Sequence, residues 1–182
     1  MIGIFTGNGK GKTTAALGTA LSAALQGKRV AIVQFLKGSG YTGELAAIPQ
    51  LSLAFSIRQF GFGCPDAAAI RSGEMQCKKC GQCFGQNRNP ANGYVEQAWS
   101  YACEAAHESD LVVLDEVSHA VNRKLLEEET LLRWLREVKA DVVLTGRNMP
   151  QAIIDLADFA TQCHPVQHPM GKGIDARRGS EY

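Results

Sequence analysis

The segment Thr6-Gly7-Asn8-Gly9-Lys10-Gly11-Lys12-Thr13-Thr14 carries the residue types that grip a polyphosphate. Its glycines let the backbone wrap closely around anionic oxygens, and a helix opening near Thr13 adds its positive end. Lys12 supplies a mobile point charge, and the Thr13 hydroxyl can ligate Mg²⁺. Charge-assisted bonds of this kind contribute roughly 1.5–3 kcal/mol each. The loop departs from the usual G-x-x-x-x-G-K-S/T spacing, because Thr6 holds the first position and the glycines fall at 7, 9 and 11. A second motif, Leu111-Val-Val-Leu-Asp115-Glu116, is a hydrophobic run ending in two acids. At the carboxyl edge of a sheet such acids face a phosphate loop and bind Mg²⁺ directly or through water. In isolation the same residues also fit a plain helix start capped by Ser118. Gln34-Phe-Leu-Lys37-Gly38 and Thr42-Gly-Glu44 bring further charged, glycine-containing turns, with surface loops as the alternative. Thr145-Gly-Arg147 offers a guanidinium that can hold phosphate oxygens bidentately.

Cysteine spacing marks a different chemistry. Cys77, Cys80 and Cys83 recur at two-residue intervals, and Cys64 is placed to join them if the chain folds back. Four thiolates suit Zn²⁺ or a [4Fe–4S] cluster, and reduced thiols without metal are the third reading. Cys103 and Cys163 read as buried or incidental thiols.

These groups must be positioned by a scaffold, and the alternation of β-branched runs with longer amphipathic or small-residue segments predicts a parallel sheet with crossover helices. Strands are expected at Ile2 to Thr6, Arg29 to Leu36, Leu51 to Phe60, Leu111 to Asp115, Asp141 to Thr145 and Asp158 to Gln162. Helices are expected at Thr13 to Gln26, Tyr94 to His107, Glu127 to Val138 and Pro150 to Leu156. One compositional break, Gly61 to Gly93, is rich in Gly, Cys, Asn and Gln and reads as a long excursion from the sheet. With 182 residues, 45% hydrophobic and 20% charged, the chain fits a single globular domain rather than a disordered one. A net charge of +1 excludes a global field for nucleic acid or an anionic membrane. No stretch approaches a membrane span and no basic leader precedes the first strand, so a cytoplasmic setting is expected.

Taken in order, Thr6-Gly-Asn-Gly-Lys-Gly-Lys-Thr-Thr14, Val33-Gln-Phe-Leu-Lys-Gly38, Thr42-Gly-Glu44, Leu114-Asp-Glu116, Thr145-Gly-Arg147 and the closing Gly173-Ile-Asp-Ala-Arg-Arg-Gly-Ser-Glu-Tyr182 resemble one family. It is the P-loop type corrinoid adenosyltransferases, also called ATP:cob(I)alamin adenosyltransferases, and the shifted glycines are what that family shows. The resemblance implies an α/β P-loop NTPase fold of the RecA-like kind, with a mostly parallel central sheet flanked by helices. Residues 1–182 would form one domain, with a Cys-rich insertion at 61–93 and a C-terminal arm at 165–182. It implies that Co(I) of a reduced corrinoid attacks the 5′ carbon of ATP and expels tripolyphosphate. ATP would be held by Gly7, Asn8, Gly9, Lys10, Gly11, Lys12, Thr13, Thr14, Lys37, Glu44, Arg147 and Arg177. Lys12, Lys10 and Arg147 would neutralise the leaving group, and Mg²⁺ would sit at Thr13, Asp115 and Glu116. The family commonly has Gly-Phe-Thr-Trp after its third strand; the matching stretch here is Gly61-Phe62-Gly63-Cys64, so Phe62 fits as a corrinoid contact and Cys64 stands in place of the Trp. A homodimer and a reductant protein such as a flavodoxin are further implications. A thymidine-kinase-like nucleoside kinase with a zinc segment and an ATP-binding regulator without turnover are the competing readings.

Overall fold

In the computed structural model, which describes residues 1–38, 42–78 and 80–167, six strands form one parallel sheet. They are β1 (Ile2–Thr6), β2 (Val30–Phe35), β3 (Phe55–Phe60), β4 (Leu111–Asp115), β5 (Asp141–Gly146) and β6 (Phe159–Gln162), in the spatial order β3-β2-β4-β5-β1-β6. Eight helices connect them: α1 (Lys12–Leu25), α2 (Gly43–Ala47), α3 (Ala67–Ser72), α4 (Gln82–Arg88), α5 (Tyr94–Glu108), α6 (Val117–Asn122), α7 (Glu128–Glu137) and α8 (Gln151–Ile154). Because β5 lies between β1 and β4, the phosphate loop and the acidic strand end are one strand apart on the same edge. This is the α/β arrangement expected of a RecA-like P-loop domain.

The sheet is covered on both faces, and its strands alternate accordingly. Val30, Ile32, Leu111, Val113 and Val143 face Ala16, Ala20 and Ala24 of α1. These alanines recur every fourth residue, which lines one helical face with methyl groups and lets α1 lie close to the strands. Val33, Phe35, Val112, Leu114, Val142 and Leu144 point the other way, into a core built with α5, α6 and α7. Trp99, half-buried, stands edge-on to Trp134 with ring centroids 5.4 Å apart and packs against that cluster.

One expectation is corrected by local geometry. β3 starts at Phe55, not Leu51, because Ile48–Gln50 forms a 3-10 turn around Pro49, whose ring cannot donate to a ladder. The segment 61–93 is not structureless, since α3 and α4 lie within it; each is too short to show a hydrophobic period. α2 and α6 escaped the sequence pattern for the same reason. Of the expected C-terminal arm, residues 168–182, including Arg177, lie outside the described residues.

At the amino edge, the Asp110 carboxylate accepts from the Arg29 backbone N–H at 2.8 Å and from its guanidinium, while the Asp110 N–H returns a bond to the Arg29 carbonyl. This exchange fixes the register of β2 on β4. The Arg29 hydrogen bonds hold the Asp110 carboxyl below the usual carboxylate range. A depressed folded-state pKa contributes stability above the unfolded-state pKa and loses it as pH falls through the folded value. Asp110→Asn is therefore expected to lower the urea midpoint at pH 7. The two midpoints should converge at pH values below the ordinary carboxylate range, as followed by circular dichroism.

Candidate active site

β1 ends at Thr6, and the chain turns through Gly7 and Gly11, both at φ 101, before α1 begins. That conformation strains any residue with a Cβ, so the shifted glycine spacing follows from the backbone path. α1 starts with no acidic residue in its first turn and no side-chain cap. Its orphan amides and positive end are therefore left for an anion. Lys12 is buried beneath the loop, where its Nζ donates to the Gly9 carbonyl at 2.7 Å. Burial lowers its pKa, with Glu116 opposing and Arg147 reinforcing the shift. The Gly9 N–H donates to the Cys163 carbonyl at 2.8 Å, and the Cys163 N–H donates to the Thr6 carbonyl at 2.7 Å. The Gly9 amide is thus committed to the protein. Gly9 serves the loop through its missing side chain, since a Cβ there would sit 2.8 Å from the Cys163 oxygen.

The Asp115 carboxylate is fully buried at the end of β4 and accepts hydrogen bonds from four protein groups. Thr13 Oγ1 donates at 2.8 Å and Thr145 Oγ1 at 2.6 Å to one oxygen. Gln34 Nε2 donates at 2.8 Å and Lys37 Nζ at 2.7 Å to the other. An ionised carboxylate has about four lone-pair sites, so Asp115 is saturated. Burial alone would raise its pKa, but the Lys37 ammonium and these donors carry it below the usual range. Lys37 responds in kind: burial works against its charge, yet Asp115 holds its pKa above the ordinary value. Direct ligation of Mg²⁺ by Asp115, one of the two modes expected from sequence, has no lone pair left in this arrangement. Glu116 differs. It stands at φ 62, its N–H donates to Thr145 Oγ1 at 3.0 Å, and its Oε2 is buried with no hydrogen-bond partner. The His119 ring lies 3.6 Å from that oxygen, beyond hydrogen-bonding distance.

The network continues sideways. Gln34 Nε2 also donates to Glu44 Oε1 at 3.0 Å, and Gln59 Nε2 donates to Gln34 Oε1 at 2.8 Å. Glu44 on α2 and Lys37 after β2 therefore do converge on the acidic strand end. Asn8, Lys10 and Thr14 are exposed along the loop, and Arg147 is exposed after β5. The Arg147 turn is fixed through its carbonyl, which accepts from Ser118 Oγ at 2.8 Å. Ser118, read from sequence as a helix cap, instead ties α6 to β5.

Four residues of this site are given no role by type and spacing, although Gln34 and Thr145 head two of the quoted motifs. Gln34 and Thr145 are polar residues inside apolar strands, which is a legible signal. Gln59, on a more exposed strand, offers a weaker one. Asn87 of α4 offers none: its Nδ2 donates to the Leu36 carbonyl at 2.6 Å and its Oδ1 accepts from the Phe62 N–H at 2.6 Å.

The cysteines are not gathered. Among the described residues, no three His, Cys, Asp or Glu side chains are grouped so as to hold a metal. Cys77 and Cys80 are exposed, and Cys64 and Cys83 are half-buried. As placed, they do not form the Zn²⁺ or [4Fe–4S] ligand set expected from their spacing, and no catalytic step is routed through one. Burial raises the Cys103 thiol above its ordinary pKa. Brief iodoacetamide treatment should therefore label Cys77 and Cys80 well ahead of Cys103, read by peptide mass spectrometry. Protection of the first two that a chelator removes would show instead that a metal assembles them.

Residues 1–182 match the family described as ATP:corrinoid adenosyltransferase BtuR/CobO/CobP. The chain is 33% identical over 183 residues to the corrinoid adenosyltransferase of Escherichia coli K12, covering 98% of this chain and 84% of that protein. Identity and coverage are the same for the corrinoid adenosyltransferase CobA of Salmonella typhimurium LT2. The corrinoid adenosyltransferase of Pseudomonas aeruginosa is 31% identical, over 98% of this chain and 82% of its own length. Among the described residues no helix is long and apolar enough to cross a membrane. A phosphate loop opening α1, an acidic strand end bonded to it through Thr13, and similarity running the length of the sequence agree: this chain belongs to the ATP:corrinoid adenosyltransferase family.

Proposed function

We propose that this enzyme joins the 5′ carbon of ATP to the cobalt of a Co(I) corrinoid and releases tripolyphosphate, with the phosphate loop acting as a leaving-group clamp. The cobalt lone pair forms the Co–C bond, the C5′–O bond breaks, and its electron pair leaves on the triphosphate as cobalt passes formally from Co(I) to Co(III). No general base is required. The protein's contribution is positioning and the neutralisation of charge on the departing triphosphate.

The single observation that carries the reading is the Thr13–Asp115 hydrogen bond, which ties the loop after β1 to the acidic end of β4. Lys12 leaves the Gly9 carbonyl for phosphate oxygens, while Lys10 and Arg147 approach the same anion from the exposed rim. The residues present fit a divalent cation. The Thr13 proton is spent on Asp115, which leaves its oxygen lone pairs for a metal, and Glu116 Oε2 is a buried acceptor without a donor. Thr13 and Glu116 would hold Mg²⁺, with Asp115 acting on it through Thr13. When bound, Mg²⁺ stabilises negative charge on the triphosphate oxygens. The second substrate would meet the turn at Phe62, next to the junction made by Asn87. A homodimer, a flavodoxin-like electron donor and a cytoplasmic setting complete the proposal.

Anaerobic incubation with ATP, Mg²⁺ and a chemically reduced corrinoid should give the adenosylated corrinoid and tripolyphosphate in equal amounts. ADP with a phosphorylated nucleoside would establish a kinase instead, and ATP binding without products would establish a regulator. Lys12→Ala should lower turnover about a hundredfold or more, the scale of losing one preorganised charge-stabilising group. The two acids should separate. Asp115→Asn strands the Lys37 ammonium and should lower stability by about 3 kcal/mol in chemical denaturation. Glu116→Gln should leave stability intact and weaken Mn²⁺ binding to the ATP complex about tenfold, followed by electron paramagnetic resonance.

A further inference from the structure

One side chain of the segment 61–93, Asn87, reaches the reactive edge of the sheet. Asn87 uses both ends of its amide there. Its Nδ2 donates to the Leu36 carbonyl and its Oδ1 accepts from the Phe62 N–H, each at 2.6 Å. These partners fix the orientation of the amide, because the reversed group would set NH₂ against N–H and oxygen against carbonyl. The two turns it joins have different tasks. The first, after β2, carries Leu36 at φ 55, a strained conformation for a residue with a branched side chain, and delivers Lys37 to Asp115. The second, after β3, carries Phe62.

The turns are in backbone contact, and glycine makes that contact possible. A Cβ on Gly38 would collide with the Gly61 carbonyl, and a Cβ on Gly61 would lie 2.7 Å from the Lys37 carbonyl carbon and 2.8 Å from Asn87 Oδ1. Two polar turns pressed together leave a backbone donor and a backbone acceptor to satisfy. A part-buried amide of the right length supplies both partners from outside the sheet.

We propose that Asn87 is a positioning residue that sets the Lys37 turn and the Phe62 turn as one unit, so that the insertion governs how nucleotide and corrinoid are presented to each other. This rests on the functional reading above, in which Asp115, held by Lys37, acts through Thr13 on the ATP side and Phe62 meets the corrinoid. The strained Leu36 turn is held by Asn87 and by the Lys37–Asp115 pair, so release at one end loosens the other.

The test uses Asn87→Asp in the full-length chain. Ionised Asp keeps the acceptor for the Phe62 N–H but loses the donor to the Leu36 carbonyl and faces it with a negative oxygen. The expected result is an ATP Kd raised about tenfold by calorimetry without corrinoid, the scale of one hydrogen bond to a buried acceptor. KM for both ATP and corrinoid should rise together, with thermal unfolding recorded alongside. Asn87→Ala, which withdraws both bonds without adding a charge, should give the same paired rise, and it decides the matter should Asn87→Asp not fold. ATP Kd and both KM values within twofold of the parent's overturn the proposal. So does a fall in kcat that merely tracks the folded fraction, with KM unchanged. A parent enzyme that binds ATP but makes no adenosylated corrinoid would instead sink the proposed reaction, and the ATP Kd of the two variants would still test Asn87.

Discussion

The rest of the molecule depends on keeping one carboxylate ionised where no water reaches it. Removing the Asp115 charge from water costs several kcal/mol. Four charge-assisted hydrogen bonds of roughly 1.5–3 kcal/mol each are enough to offset that cost. They come from different parts of the chain: Thr13 from the start of α1, Gln34 from β2, Lys37 from the turn after it, and Thr145 from β5. Each arrives only if β2, β4 and β5 are paired in the observed register and the phosphate loop has closed over β1. Folding of the sheet and assembly of the site are therefore the same event energetically.

Saturating Asp115 also divides labour between the two adjacent acids. Asp115 has no lone pair to offer a ligand, but it orders the proton of Thr13 and so fixes which way that hydroxyl donates. Glu116 keeps an orphan buried oxygen because its φ of 62 swings the side chain out of the strand line, at a backbone cost of order 1–3 kcal/mol. Strain of that kind persists only where surrounding bonds enforce it, and the Glu116 N–H to Thr145 bond does so. Thr145 serves both acids at once, accepting from one and donating to the other.

What could be read from the sequence follows from how local each feature is. β1, β4, β5 and the long helices carry apolar periods or continuous apolar runs, so they were legible, as was the placement of Lys12 and Thr13 at the opening of α1 and of Asp115 and Glu116 at the end of β4. Asn87 was illegible because its importance lies in two backbone atoms, at Leu36 and Phe62, that are remote in the chain and have no side-chain signature. Cys163 was misweighted for a related reason: its backbone, not its thiol, closes the phosphate loop. The cysteine spacing left a metal cluster and metal-free thiols both open, because residue spacing fixes thiolates near one another only when the intervening backbone folds around them. Here Cys83 enters α4 while Cys77 and Cys80 lie in exposed chain before it.

The charge balance of the site bears on which reaction suits it. Among the described residues, Lys10, Lys12, Lys37 and Arg147 stand against Glu44, Asp115 and Glu116, so the edge carries one formal positive charge in excess for a triphosphate, and Lys37 is already spent on Asp115. Attraction for a polyanion then draws on the amides and positive end of α1, on Lys12 once it leaves the Gly9 carbonyl, on the rim cations Lys10 and Arg147, and on a cation brought in with the nucleotide. Such a site gains most where charge gathers along the whole triphosphate. When a carbon-bound triphosphate departs intact, the new charge spreads into the same amides and ammonium that already hold it, and the clamp need not move during the reaction. Transfer of a terminal phosphoryl group would instead require an acceptor and its base beside the γ-phosphorus. The carboxylates here are tied into the Asp115 network or, in Glu116, buried at one oxygen with no donor, which suits a metal ligand better than a base.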